Sequence, residues 1–334
     1  MQIAVVVASA YYSRLNDLID LLWSLDKQTY NDKLPIEVTI IIDGDKRYYS
    51  KLLRMELNKL FKNIDKITLV VIKKRRGLAY CRNIGIRLSE SDVIAFIDDD
   101  SIAHPQWIEK LVDIYTKYGA LGVGGPLIPI WYTFKPKYLP KDMLWLVGAT
   151  PSPFVYRKNP TVSLKIFGSN MSFKREIFDL VGLFNTSYGL KDKYNLLGDE
   201  TEFLSRISKL GLKNRIWYTP YAIVYHKIYP IRIKLPYLFR RAFYFGKTKA
   251  YIEKLHNISQ SHEDIYYLQY VLKECMGDIS RFTNGINRLL FRITILLLIA
   301  ITYTCYSLSL LMKPPFLKIG KSEMLASTLS TINA

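Results

Sequence analysis

Cysteine is scarce in this sequence, and the features of a secreted protein are missing. The three cysteines, Cys81, Cys275 and Cys305, are odd in number and far apart. They form neither a disulfide framework nor the ligand spacing of a zinc site, which fits a reducing compartment. The first residues, MQIAVVVASA, lack a basic stretch and are typical of a first strand rather than of a signal peptide. The sequence therefore favours a reduced protein over a disulfide-bonded secreted one.

Acidic residues are outnumbered as well. The chain of 334 residues has 47 Lys and Arg against 29 Asp and Glu, a formal net charge of +18. This balance predicts an anionic partner, which is nucleic acid, an acidic membrane surface or a phosphorylated substrate, and composition does not choose among them. Internal repeats and low-complexity tracts are absent, and 49% hydrophobic residues suffice for the core of one large domain or two modest ones.

Short apolar stretches alternate with helical patterns in the first hundred residues. The stretches cover residues 2–8, 36–42, 67–72 and 93–97. Strands that are apolar throughout and separated by helices predict a parallel sheet covered on both faces, an α/β fold. Ligands of such sheets bind outside the carboxyl ends of the strands. Ser9, Asp43 and Asp98 follow the first, second and fourth stretches, and the basic run 73–76 follows the third.

The pattern becomes less regular after Pro126. Prolines and aromatic residues interrupt residues 126–160, which predicts a long, partly ordered loop region over the site. Helices are predicted over residues 175–181 and 199–211, and short strands around 214–218 and 222–226.

Two C-terminal segments bear on membrane attachment. Residues 231–255 are basic and aromatic, which suits either a helix in lipid headgroups or a solvated helix packed on the domain. Residues 293–312 carry no charge, and a helix of that length is about 30 Å long, enough to span a bilayer. A buried core helix is the alternative. Basic residues flank both ends of this segment, so orientation follows only from the basic, cysteine-poor body, which favours the cytoplasm.

Three adjacent carboxylates follow the fourth predicted strand, in the sequence VIAFIDDD. In an extended chain Asp98 and Asp100 point to one side and can face one ligand, whereas Asp99 points away or into the loop. Oxygen ligands of this kind suit Mg²⁺ or Mn²⁺, and such an ion would neutralise the cluster. Solvated aspartates in a turn are the simpler interpretation. The basic run 73–76 after the third predicted strand and Arg82 in the following predicted helix favour a phosphate-bearing ligand.

Five motifs in order make the chain resemble the inverting family 2 glycosyltransferases, over about residues 2–246. They are IIDGD, RGLAYCRNIGIRLSESDVIAFIDDD, FGSNMSFKREIFDLVGLF, GDETEFLSRISKLG and YTPYAIVYH. The resemblance implies the GT-A fold, a Rossmann-like and mostly parallel sheet. GGPLIPIW and WLVGAT are similar to segments of archaeal transferases that build lipid-linked N-glycans.

The resemblance also implies roles for individual residues. Asp43 would contact the nucleobase, and Asp98 the ribose and the metal. Asp98, Asp100 and His226 would hold Mn²⁺ or Mg²⁺. Glu200 would be the catalytic base, with Asp199 as the other candidate. The expected donor-binding residues are Ser9, Arg14, Asp43, Gly77, Arg82, Asn83, Asp98 and Asp99.

Each of these residues also has a structural interpretation. Glu200 could be an acid favoured by a helix N-terminus, and His226 an ordinary half-buried histidine. Arg82 and Asn83 could lie on a helix surface. Asn170 could simply satisfy a turn.

The function expected from this resemblance is metal-dependent, inverting transfer of a sugar. The donor would be a UDP- or GDP-sugar, and the acceptor a glycan or phosphate on a dolichol- or polyprenol-type lipid. A processive polysaccharide synthase is one alternative, although Gln-x-x-Arg-Trp and several spans are missing. A basic nucleic-acid-binding protein is the other, but no groove-reading helix is visible, so nucleic acid is not expected as a partner.

The expected organisation places a single-pass protein in the cell membrane with its catalytic domain in the cytoplasm. The predicted units are a GT-A domain over 1–230 with a nucleotide-binding half 1–125 and an acceptor half 126–230, basic amphipathic helices over 231–288, a transmembrane helix over 289–312 and a tail over 313–334.

Overall fold

A computed structural model describes residues 1–29, 36–136, 138–139, 141–155, 157–188, 197–257, 297, 300–302 and 304–311. The strands are β1 (Ile3–Ser9), β2 (Ile36–Asp43), β3 (Lys66–Ile72), β4 (Val93–Phe96), β5 (Ser101–Ala103), β6 (Gly122–Gly124), β7 (Leu127–Trp131), β8 (Thr161–Val162), β9 (Met171–Lys174), β10 (Ile216–Tyr218) and β11 (Val224–Ile228). The helices are α1 (Leu15–Asp26), α2 (Lys46–Arg54), α3 (Leu57–Leu60), α4 (Leu78–Leu88), α5 (Trp107–Tyr118), α6 (Ser152–Val155), α7 (Glu176–Val181), α8 (Asp199–Lys209) and α9 (Leu235–His256).

The large sheet has the strand order β3-β2-β1-β4-β9-β6-β10-β8. Its first four strands are parallel, and β9 runs antiparallel between β4 and β6. The predicted parallel α/β sheet is thus confirmed. A small second sheet, β5-β11-β7, lies beyond the carboxyl end of β4, because β5 begins directly after the Asp98–Asp100 turn.

Helices cover both faces of the large sheet, as the apolar strands require. In β1 the side chains of Ile3, Val5 and Val7 join a core with the buried leucines of α1. Val6 points to the other face and joins a second core with α4, α7 and α8. The two-residue period of a strand and the helical spacing of the leucines therefore account for both cores.

The proline-rich region 126–160 is more regular than the sequence predicts. It contains β7, a 3₁₀ helix over Lys141–Val147 and α6. Buried side chains of this region, among them Met143 and Leu146, pack against Leu238 and Ala242 of α9. The prediction of a partly ordered loop is wrong here, because the region buries its apolar residues against a distant helix that local composition does not reveal.

Two other predicted elements shift at their ends. The strand expected over 222–226 begins at Val224 and continues to Ile228, since β5 and β7 pair with it on both sides. His226 therefore lies in the middle of the strand and not at its end. The basic aromatic segment does form a helix, α9, which buries one face and exposes Phe243 on another.

Of the expected membrane span over 293–312, residues 293–296, 298–299, 303 and 312 lie outside the described residues. Among the residues that the structure describes, no helix has the length and apolarity needed to cross a bilayer. The described helical residues of this segment pack on α9, where the Tyr306 hydroxyl donates to Glu253 and a Cβ on Gly246 would meet the Thr302 carbonyl oxygen at 2.1 Å. The domain boundaries given above stay predictions.

Gly85 is predicted to be essential for the contact between α4 and β1. A Cβ at this position would lie 2.3 Å from Val6 Cγ1, so Gly85→Ala must force the helix away from the sheet. Overpacking of this kind costs about 1–3 kcal/mol of unfolding free energy, measurable by urea denaturation. Leu88→Ala, at an exposed position of the same helix, is the control. An alanine variant as stable as the original protein would contradict the close approach.

Candidate active site

The three carboxylates after β4 lie in a turn. The strand ends at Phe96, and the amide of Ser101 donates to the Asp98 carbonyl at 3.1 Å. The predicted alternation along a strand therefore does not apply to them. The turn and the facing strand β11 nevertheless bring Asp98, Asp100 and His226 together, with one potential ligand atom from each lying within 4.8 Å of the others.

Asp100 is buried among positive charges. Its Oδ2 accepts hydrogen bonds from Arg14 Nη1 and Arg232 Nη2, both at 2.9 Å, and its Oδ1 lies 3.2 Å from His226 Nε2. Burial alone would raise the pKa of this carboxyl, but the neighbouring charges of Arg232 and Arg14 outweigh it and hold the pKa well below its usual range. Asp100 is therefore a permanent anion at neutral pH.

The cluster fits a divalent cation. Two ligands at right angles on an ion with Mg²⁺-like bond lengths are about 3.0 Å apart, close to the 3.2 Å between Asp100 Oδ1 and His226 Nε2. His226 Nδ1 is buried and has no hydrogen-bond partner among the described residues. Two carboxylates and an imidazole suit Mn²⁺ or Mg²⁺, so these residues match the predicted ligand set.

Asp99 turns to the end of β1, where it meets another predicted residue. Its carboxylate accepts a hydrogen bond from Ser9 Oγ, which lies 3.2 Å from the Tyr48 hydroxyl. Burial and the neighbouring charge of Asp100 raise the pKa of Asp99 to about 8. Ser9 and Asp99 thus join the ends of two adjacent strands.

Asp43 shapes the loop after β3. Its two carboxylate oxygens accept the backbone N–H groups of Arg76 and Gly77, each at 2.8 Å. Gly77 adopts a φ of +93°, which favours glycine, and it directly precedes α4. Beside Asp43 lies a cleft of about 480 Å³ whose rim is basic. Its basic lining residues are Lys46, Arg47, Lys73 and Arg75.

Arg82 connects the two halves of the site from a buried position. Only 3% of its surface is exposed, so it is not a helix-surface residue. Its Nη1 donates to Asp199 Oδ2 at 2.6 Å, and its Nη2 donates to the Gly168 carbonyl at 2.8 Å and lies 3.6 Å from Asp98 Oδ1. The neighbouring Asn83 instead bonds both backbone groups of Phe184. Its expected donor contact stays a prediction.

Glu200 and Asp199 differ in their surroundings although both begin α8. Asp199 is buried and paired with Arg82, whereas Glu200 is half-buried. Burial, helped by the charge of Asp199, raises the pKa of Glu200 to about 7. A carboxylate with this pKa can accept a proton near neutral pH.

Arg14 is held in place by a second charged network. Its guanidinium lies over the ring of Tyr229 at 4.3 Å. The Tyr229 hydroxyl donates to buried Asp17, which also accepts from Lys227 Nζ at 2.8 Å. Lys227 and His226 are neighbours in β11 and point to opposite sides, one to Asp17 and the other to Asp100.

Comparison with known proteins shows the family of this chain. A sequence model described as glycosyl transferase family 2 matches residues 6–182, more than half of the chain. The chain belongs to this family.

Curated relatives include a lipid-linked transferase. The glycosyltransferase is 31% identical over 273 residues to the Glucosyl-dolichyl phosphate glucuronosyltransferase of Haloferax volcanii, covering 81% of this chain and 84% of the relative. It is 23% identical to the Succinoglycan biosynthesis protein ExoM of Rhizobium meliloti, over 55% of this chain and 56% of that protein.

The fold of the glycosyltransferase is similar to that of S. aureus TarS. The solved structure of TarS residues 1–349 matches with a TM-score of 0.52 at 12% identity, covering 90% of this chain and 81% of that one. A mostly parallel α/β sheet of the GT-A type is therefore the architecture of the glycosyltransferase.

Arg232 is the site residue that the sequence did not reveal. It lies in a segment with many other basic residues, and nothing in the local composition distinguishes it from them. The match to the family ends at residue 182, so Glu200, His226 and Arg232 all lie beyond it. Arg232 reaches the carboxylates because β11, which ends four residues before it, pairs with β5 directly after the Asp98–Asp100 turn.

The Arg82–Asp199 pair is predicted to couple strongly in folding. Arg82→Met leaves a buried carboxylate without its partner, and such a change costs about 3–5 kcal/mol of unfolding free energy. Adding Asp199→Leu should recover most of this loss, because both charges are then gone. Urea denaturation of the two single variants and the double variant measures the coupling. If the loss of unfolding free energy in the double variant equals the sum of the losses in the two single variants, the pair is not coupled.

Proposed function

We propose that this glycosyltransferase moves a sugar from a nucleotide-diphosphosugar to a sugar carried on a lipid phosphate, with inversion at the anomeric carbon. The observation that carries the proposal is the convergence of Asp98, Asp100 and His226 beyond the carboxyl end of β4. The relative from Haloferax volcanii, whose name describes a glucosyl-dolichyl phosphate acceptor, supports a dolichol-type or polyprenol-type carrier.

The donor is proposed to bind along the carboxyl ends of β1, β2 and β4. The basic cleft beside Asp43 provides positive charge for the nucleotide of a UDP- or GDP-sugar. Asp98, Asp100 and His226 would hold Mn²⁺ or Mg²⁺ next to the diphosphate. When bound there, the ion supplies positive charge that stabilises the departing nucleoside diphosphate.

Glu200 is proposed to accept the proton of the attacking hydroxyl. The acceptor oxygen forms a bond to the anomeric carbon on the face opposite the diphosphate. The bond between this carbon and the diphosphate oxygen breaks, and its electron pair leaves with the nucleoside diphosphate. Asp199 keeps Arg82 in position instead, because its ion pair at 2.6 Å occupies it. A base is useful for a sugar hydroxyl, whereas an ionised lipid phosphate needs none.

Attachment to the cell membrane is part of the proposal. Phe134 and Ile231 are 68% and 57% exposed. Each follows by two positions one member of the stacked pair Tyr132 and Tyr229, whose ring centroids are 4.8 Å apart. Exposed apolar side chains next to the basic helix α9 suit contact with an anionic bilayer. Such contact, together with the uncharged segment 293–312, would hold a cytoplasmic catalytic domain beside its lipid-linked acceptor.

Metal-dependent donor cleavage tests the proposal most directly. With Mn²⁺ and a lipid extract, the full-length protein in detergent should release nucleoside diphosphate from one or a few members of a panel of sugar nucleotides. Asp100→Asn should reduce the release to background, because an amide is a poor ligand for the cation. Asp179→Asn, at an exposed position, should have no effect. Full activity of Asp100→Asn, or of the original protein in excess chelator, would refute the metal site.

The assignment of Glu200 predicts a pH dependence. Only the ionised carboxylate accepts a proton, so kcat/KM should rise with pH and level off above about 7, the pKa raised by burial. Glu200→Gln should lose about 10²-fold to 10⁴-fold in kcat and the inflection with it. Glu176→Gln, an exposed acid in the first turn of α7, should keep both. A glutamine variant with normal turnover would exclude Glu200 as the base.

A further inference from the structure

Arg232 contacts two residues of the proposed cation site, and it occupies the Nε2 ligand atom of one of them, His226. Its Nη2 donates to Asp100 Oδ2 at 2.9 Å, and its Nη1 lies 3.1 Å from His226 Nε2. A guanidinium has five N–H donors in one plane, so it can contact a carboxylate and an imidazole at once. In this structure Arg232 thus supplies the positive charge that the carboxylates require.

A divalent cation and this guanidinium cannot both use His226 Nε2. The lone pair of His226 Nε2 serves either a hydrogen bond from Arg232 or a bond to a metal. Two positive groups within a few ångströms also repel each other strongly in a buried site. Binding of the cation to Asp100 and His226 therefore requires Arg232 to move.

Arg232 is placed so that it can leave. It belongs to a short 3₁₀ helix over Pro230–Ile233, and 22% of its side chain is exposed. Its Nη1 makes one weak further bond, at 3.3 Å to the Val147 carbonyl. By contrast, Arg82 is buried between Asp199 and Gly168.

Arg14, the other guanidinium on Asp100, differs from Arg232 in its anchoring. The ring of Tyr229 covers it at 4.3 Å and Asp17 lies 3.5 Å away, so it has partners that do not depend on Asp100. The contact with His226 Nε2 belongs to Arg232. Arg232 is therefore the guanidinium that must give way.

A glycine next to Arg232 leaves space for its contact with His226. Gly148, with a φ of +88°, packs directly on this pair of side chains. A Cβ there would lie 2.9 Å from His226 Cε1 and 3.1 Å from Arg232 Nη1. The contact between Arg232 and His226 is accordingly built into the packing of the site.

We propose that Arg232 is a counter-ion that the divalent cation displaces, and that the released guanidinium binds the diphosphate that arrives with the cation. This inference rests on the proposed function, because it takes the cluster as a cation site. It makes cation and diphosphate binding cooperative: the cation alone must displace a positive charge, whereas the diphosphate gives that charge a new partner. Arg232 then favours binding of the cation together with the diphosphate over binding of the cation alone.

Titration with Mn²⁺, followed by electron paramagnetic resonance of the free ion, tests this exchange without any turnover. The full chain is titrated alone and with UDP or GDP. Arg232→Gln should bind Mn²⁺ alone about tenfold more tightly than the original protein, because a charged competitor is lost. The same variant should gain less Mn²⁺ affinity from either nucleotide. Arg240→Gln, an equal loss of charge at an exposed position of α9, should behave like the original protein.

The outcomes separate the two proposals. Equal Mn²⁺ affinity of Arg232→Gln and the original protein would overturn the exchange while leaving the cation site intact. If the original protein binds no Mn²⁺, whether UDP or GDP is present, the metal dependence of the proposed function is wrong, and the exchange is wrong with it.

A second measurement needs no variant and so does not depend on the folding of one. The original protein is labelled with an arginine-specific dicarbonyl, and the Arg232 peptide is quantified by mass spectrometry. Labelling of Arg232 should increase when Mn²⁺ is added and decrease again when UDP or GDP follows, whereas labelling of buried Arg82 should stay low. If the labelling of Arg232 does not change at a saturating concentration of Mn²⁺, the displacement is contradicted.

Discussion

The buried guanidinium of Arg82 is the interaction on which the two halves of this enzyme depend. It extends from α4, in the parallel half, and pairs with Asp199 at the start of α8 while lying close to Asp98. A buried charge is tolerated only where partners satisfy it, so this arginine fixes the position of α8 relative to the carboxyl end of β4. The proposed base and the proposed cation ligands therefore share one rigid support.

Charge balance around the turn after β4 explains how three adjacent carboxylates persist in a folded protein. Each has a different partner: Arg82 lies near Asp98, Ser9 donates to Asp99, and two guanidiniums donate to Asp100. Burial, together with repulsion from Asp100, raises the pKa of Asp99, whereas Asp100 stays ionised. Asp99 is therefore the acid of the cluster that is protonated more readily, and Asp100 is the one that remains an anion.

The sequence predicts those parts of the site that follow from local pattern. Apolar runs locate the parallel strands, and Asp43, Asp98 and Asp100 follow them at the expected edge because strand ends collect there. The turn at Asp98–Asp100 and the interior position of His226 in β11 depend on pairing with β5 and β7. Such pairing joins residues 97 to 125 positions apart. Arg232 and the packed region 126–160 escape prediction for the same reason, since their partners are distant in sequence.

The strand β11 carries consecutive residues that serve different purposes. His226 faces the carboxylates, and Lys227 faces Asp17 and Asp20 on the other side. A slip of one position in this strand would, depending on its direction, place Lys227 where His226 now faces the carboxylates, or His226 where Lys227 now faces Asp17 and Asp20. Because every side chain of a strand reverses its face on such a slip, the register in which β11 pairs with β5 and β7 decides which basic side chain each acidic cluster receives.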